Sequence, residues 1–149
     1  MQFEGDRDFS LPPAELWPKL SDARFLAGSV ANAEALVVPD ADHAEWKVRP
    51  ALAFVSGTLD TKLHIVERRP EEFIRLLLTS KGIGSAGTTE VRLQLNVQGS
   101  GTRVHWTGDI IELTGLLKAV PKGLISAAAQ KVIEDIWRGV EKMLSREAK

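Results

Sequence analysis

The chain has 149 residues, 44% of them hydrophobic and 26% charged, with a formal net charge of −1 and no cysteine. Such a length suits one domain with a sizeable core of its own. The near-zero charge excludes steering toward nucleic acid by the whole-molecule field, and the missing cysteines exclude disulfides, thiolate nucleophiles and thiolate metal sites.

The N-terminal Met1-Gln2-Phe3-Glu4-Gly5-Asp6 has neither the basic nor the apolar stretch of a signal peptide. No uncharged apolar run approaches the roughly 20 residues of a membrane span. A cytoplasmic protein with no integral membrane segment is the expectation. A first strand is predicted from Gln2 to Ser10, ended by Leu11-Pro12-Pro13. Pro13 suits the first position of a short helix, Ala14 to Leu20, which Pro18 should kink by removing the hydrogen bond back to Ala14. Ser21 or Asp22 is placed to cap a second short helix containing Phe25 and Leu26.

From about Ala33 the apolar period becomes two. Ala35 to Val38 and Ala44 to Val48 flank a Pro39-Asp40-Ala41-Asp42 turn and predict a hairpin. Leu59, Thr61, Leu63 and Ile65 alternate with Asp60, Lys62 and His64. Arg69 to Glu72 turns the chain into Phe73 to Thr79, where Ile74, Leu76 and Leu78 share a face. Glycines 82, 84 and 87 predict a flexible loop able to gate a pocket. Val91, Leu93, Leu95 and Val97 then alternate with polar residues, and Gln98-Gly99-Ser100-Gly101 is a tight turn. The last strand sets Val104, Trp106, Gly108 and Ile110 opposite Arg103, His105, Thr107 and Asp109. Clean alternation of this kind predicts an antiparallel sheet with one wetted and one covered face.

The cover is a long helix, Pro121 to Arg146, of about 39 Å. At about 100° per residue, Ile125, Ala129, Val132, Ile136, Gly139, Val140 and Met143 share one side. Gln130, Lys131, Glu134, Arg138, Glu141 and Lys142 share the other, with Glu134 and Arg138 spaced as an ion pair. Ala128, Ala129 and Gly139 are small where a core is normally bulky, which predicts empty volume beneath the helix. The order is strand, two short helices, about six strands and one long helix.

This order resembles the helix-grip fold of the START-like (SRPBCC) superfamily, an α+β fold. There a curved antiparallel sheet of about 6–7 strands wraps a long C-terminal helix around a cavity. Three stretches resemble the branch named for the CoxG component of carbon monoxide dehydrogenase: Pro13-Ala14-Glu15-Leu16-Trp17-Pro18-Lys19-Leu20-Ser21-Asp22, Gly57-Thr58-Leu59-Asp60-Thr61-Lys62-Leu63, and Gly101-Thr102-Arg103-Val104-His105-Trp106-Thr107-Gly108. The resemblance spans nearly the whole chain as a single domain, 1–149. It implies a pocket for a hydrophobic small molecule, lipid or quinone-like, and a partner in a redox enzyme complex. Larger members of the branch carry an apolar C-terminal tail. This sequence stops at Lys149, and so predicts no membrane anchoring.

Inward sheet residues Leu63, Leu76, Leu93 and Trp106, with Ile125, Ala129, Val132 and Ile136 of the helix, are the expected lining of that pocket. The alternative is a close-packed core. Glu112 shares parity with Ile110 and is expected to point inward as a polar tip. His43, His64 and His105 have no ligand-like spacing and are expected at the surface, so neither a metal nor a cofactor is predicted. Ser56, Ser85 and Ser100 lie in glycine-rich turns with no nucleophile elbow, and Gly82 to Gly87 opens no helix that could hold phosphate. Lys118 and Lys122, among Leu116, Leu117, Val120 and Leu124, read as a solvated helix entrance, with peripheral membrane contact as the alternative. The reading is a binding protein more than an enzyme. Its competitors are a polyketide cyclase-like or hydrolase-like enzyme, which needs a buried titratable pair, and an assembly factor acting through its surface.

Overall fold

The computed structural model describes residues 2–30, 33–49, 57–82 and 84–147, the side chains of residues 117, 146 and 147 apart. The expectations that involve Ser56 and Ile83 lie outside the described residues. In chain order the elements are β1 (Gln2–Phe9), α1 (Pro13–Leu20), α2 (Ala23–Gly28), β2 (Glu34–Val37) and β3 (His43–Val48). They continue with β4 (Leu59–Arg69), β5 (Phe73–Gly82), β6 (Ser85–Gln98), β7 (Gly101–Gly115), a 3-10 turn at Leu116–Ala119 and α3 (Lys122–Glu147). The seven strands form one curved antiparallel sheet in the order β1-β7-β6-β5-β4-β3-β2. This is the helix-grip arrangement that the periodicity and the resemblance predict.

Local chemistry explains the helical start. Pro13 occupies the first turn of α1, and the helix continues across Pro18 because Ser21 N–H still reaches the Trp17 carbonyl at 2.9 Å. Asp22 caps α2, accepting from Arg24 N–H at 2.9 Å. Both helices bury apolar faces, Leu16 and Leu20 from α1, then Phe25, Leu26 and Ala27 from α2. They meet Ile74, Leu93 and Val104 of the sheet in a single core. Arg68, at the end of β4, donates to the Ser21 and Ala41 carbonyls and ties the helix pair to the turn before β3. At about 1.5–3 kcal/mol per fully buried Leu or Ile, this cluster is the main stabilising body of the domain.

Three expectations are corrected here. The hairpin loop expected over Gly82 to Gly87 is narrower: Gly82 pairs with Ser85, Lys81 with Ala86 and Ser80 with Gly87, so glycines 82 and 87 are strand residues. Glu112 does not share the face of Ile110. The β6–β7 register slips between Thr88 and Thr89, which pair with Glu112 and Ile110, so Ile111 is an extra, bulged residue. The side-chain period is two, so that single insertion reverses the parity and sets Glu112 with Thr88 on the outer face, exposed. The third correction concerns helix phase. Ile125, Trp137 and Val140 are buried and Ala129, Ile133, Ile136 and Leu144 packed beside them, whereas Val132 is 47% exposed. Ile125, Ala129, Ile136, Val140 and Met143 of the expected stripe are covered, and the stripe is rotated by about 45° from the expected one, toward Trp137.

Candidate functional site

The inner face of the sheet falls into two halves. One half is filled. Phe9 of β1 meets the Trp137 ring with centroids 5.9 Å apart, and Arg7 donates to Glu134 and, at 3.2 Å, to Glu141 of α3. Glu134 thus faces β1 rather than Arg138, which instead lies 3.7 Å from Asp135. Gly139 is part of this contact: a methyl group there would sit 1.9 Å from the Ser29 carbonyl oxygen. The small residue at 139 marks a close approach of helix to backbone, not the empty volume expected of it.

The other half is different. Its crosswise rows run Phe3, Gly108, Val91, Leu76 and Ile65, then Ile110, Thr89, Leu78, Leu63 and Ala44, then Leu113, Gly87, Ser80, Thr61 and Trp46. Gly108 is buried, yet a methyl group on it would meet no described residue within 4 Å apart from its chain neighbours. Elsewhere on the same face space is scarce. Gly5 admits the Trp106 ring, whose Cζ2 would lie 2.7 Å from a methyl group at that position. Trp106 is thereby laid across β1. Val91, Leu78, Ile110, Ile133 and Ile136 are each only partly buried although all are apolar. Unfilled space bordered by such residues is what an apolar ligand site requires.

Of the expected lining, Leu63, Leu76, Leu93, Trp106 and Ile125 are buried, and Ala129 and Ile136 are partly buried against the same cluster. Val132 and Glu112 are not brought to it. Gly108, at the centre of the unevenly covered half, is not among the expected lining residues. The available signal for Gly108 is a glycine inside a strand, which often marks a close approach or a gap.

The chemistry available is limited. The buried polar residues among those described are Ser21, Ser29, Thr61, Ser85 and Thr102, all hydroxyls. No group of three His, Asp or Glu among the described residues could hold a metal. His43 and His64 stack with ring centroids 4.4 Å apart on the outer face, and His105 contacts Asp6 at 2.9 Å there. Two depressions, of about 570 and 710 Å³, are found among the described residues. The first is bordered by Glu4, Glu90, Arg92 and Asp109, the second by Pro12, Glu71, Glu72 and Asn96. Both are open and polar-rimmed, and the first is also bordered by Phe3 and Gly108. No described helix is long and apolar enough to cross a membrane.

Solved structures share this architecture. A conserved protein from Geobacillus kaustophilus superposes with a TM-score of 0.84 at 19% identity, covering 98% of this chain and 96% of its own. A protein from Thermus thermophilus gives 0.74 at 19% identity with full coverage of both chains, 100% and 100%. One from Rhodobacter sphaeroides gives 0.64 at 19%, covering 97% of this chain and 92% of its own. At such identities the likeness speaks for the fold. No curated protein matches the chain. The model of the carbon monoxide dehydrogenase CoxG family matches residues 5–145, nearly the entire sequence. The chain belongs to the CoxG family of carbon monoxide dehydrogenase components.

Proposed function

We propose that the protein binds a hydrophobic small molecule, lipid or quinone-like, between the inner sheet face around Gly108 and the N-terminal half of α3. It acts as an accessory to a carbon monoxide dehydrogenase-type redox enzyme. The observation that carries the reading is Gly108: a buried strand position with no described residue within 4 Å of an added methyl group, its chain neighbours apart, surrounded by half-covered apolar side chains. Natural cores are close-packed, so partial burial of Val91, Leu78, Ile110, Ile133 and Ile136 together leaves dispersion contacts unmade that a ligand would supply. Desolvation at roughly 25 cal/mol per Å² drives such binding, less the cost of ordering the ligand. The hydroxyl-only polar complement of the buried residues supports binding over acid–base hydrolysis. Family membership supports the redox-enzyme partner.

Native mass spectrometry of gently purified protein, followed by thermal shift with quinones and fatty acids, tests the reading. A ligand held at 100 times its Kd is expected to add about 2.7 kcal/mol. An absence of any copurified mass, together with no shift from any apolar compound, sinks it.

A further inference from the structure

Within the apolar half of the inner face one polar feature stands out. Thr61 of β4 and Ser80 of β5 are cross-strand partners, their hydroxyls 3.4 Å apart. Thr61 is only 7% exposed, deep among Leu63, Leu78 and Trp46. A single long hydrogen bond between two hydroxyls uses one donor and one lone pair of the two donors and four lone pairs they carry. Ser80 is partly exposed, and over its β6 neighbour Gly87 lies Leu113, whose Cδ1 would be 3.4 Å from a methyl group at that position. Ser80 is thus the accessible member of the hydroxyl pair. Along β6, Gly87 lies four residues from Val91, the partner of Gly108, a span of about 13 Å. Hollow and hydroxyls therefore share one strip of wall, apolar at one end and hydrogen-bonding at the other.

Charge is missing from that strip. The three crosswise rows that contain Gly108, Thr89 and Ser80 hold no ionisable residue, nor do Ile125, Ala129, Ile133 and Ile136 opposite. The cations that do face inward, Arg7 and Arg68, lie in the filled half and are engaged by Glu141 and by the Ser21 carbonyl. A carboxylate entering the strip would be desolvated without a counter-ion, which is strongly unfavourable; a neutral oxygen would gain a hydrogen bond.

Resting on the apolar-ligand reading, we propose that Thr61 and Ser80 form the polar end of that site. They select a long neutral ligand carrying one hydrogen-bonding oxygen, of ketone type, over an anionic one. The test is a tryptophan-fluorescence titration with three chains of equal length, undecane, 2-undecanone and undecanoate, on the full chain and on Thr61→Val/Ser80→Ala. The wild-type protein should bind 2-undecanone about tenfold more tightly than undecane or undecanoate. The double variant should lose that preference while its undecane affinity stays within about twofold, which a loss of folding would not produce. Equal wild-type affinity for the ketone and the alkane, tighter binding of undecanoate, or a preference surviving in the double variant each overturns the proposal while leaving apolar binding intact. If none of the three chains binds, the apolar-ligand reading fails with it.

Discussion

At the scale of single residues, the decisive positions are those whose neighbours are far away in sequence. Gly108 and Gly139 look alike in the chain, each a glycine inside a regular element. Their surroundings are opposite, no described neighbour within 4 Å for the first and the Ser29 carbonyl for the second. Asp22 is a case in which local reasoning suffices. A capping residue before an apolar helix is legible, and the structure adds Arg24, whose guanidinium donates to both carboxylate oxygens at 3.0 Å. That side-chain hydrogen bond, assisted by the Arg24 backbone N–H and opposed by partial burial, holds the Asp22 carboxyl below its ordinary value of 3.8. A pKa lowered by folding means stability that is complete above about pH 4 and is lost as the pH falls through the folded value. Asn can still cap but cannot ionise. Asp22→Asn should therefore be less stable than the wild-type protein at pH 7, by about 1 kcal/mol or less. The difference should vanish by about pH 2 in urea titrations. A gap that persists unchanged at low pH would contradict this assignment.

At the scale of elements, type and order are readable throughout, and phase is not. The sheet strands and α3 are expected within a few residues of where they lie, because their apolar periods are long and clean. The face of α3 differs from expectation by about 45° because small and β-branched residues suggest a stripe that Trp137, the largest side chain of the helix, does not share. Amphipathic periodicity has no means of knowing that Phe9 stands ready to receive an indole. The observed phase predicts a sharp contrast. Trp137→Ala should cost about 3–5 kcal/mol, and Val132→Ala, at an exposed position, less than about 0.5 kcal/mol. Denaturation midpoints of the two variants check it, and comparable losses would restore the other phase. The β7 bulge teaches the same lesson in a strand. One inserted residue, Ile111, turns Glu112 outward, and nothing in the alternation of β7 announces the insertion.

At the scale of the whole molecule, the domain is tightly packed where α3 meets Ser29 and Phe9, whereas no described residue beyond the chain neighbours comes within 4 Å of a methyl group added at Gly108. The two glycines let this be tested directly. Gly139→Ala should force α3 off the Ser29 backbone and cost about 2–3 kcal/mol or more, since backbone yields less readily than side chains. Gly108→Leu should be tolerated or mildly stabilising, as it adds strand propensity and fills unoccupied space, yet it should weaken apolar ligand binding at least about tenfold. Thermal melts and ligand titrations on both variants decide the matter; if Gly108→Leu unfolds the protein, the space it enters is not there. By itself the sequence determined the α+β class, the order of elements and the antiparallel sheet under a terminal helix. Those follow from periodicity and turn chemistry, which are local. It also supplied the apolar residues for a wall. Which of them touch, which leave a gap, and which face Glu112 and Val132 present were settled only in three dimensions. Packing and register are sums over contacts between residues distant in the chain, and a shift of one residue in a strand, or of part of a turn in a helix, reverses them.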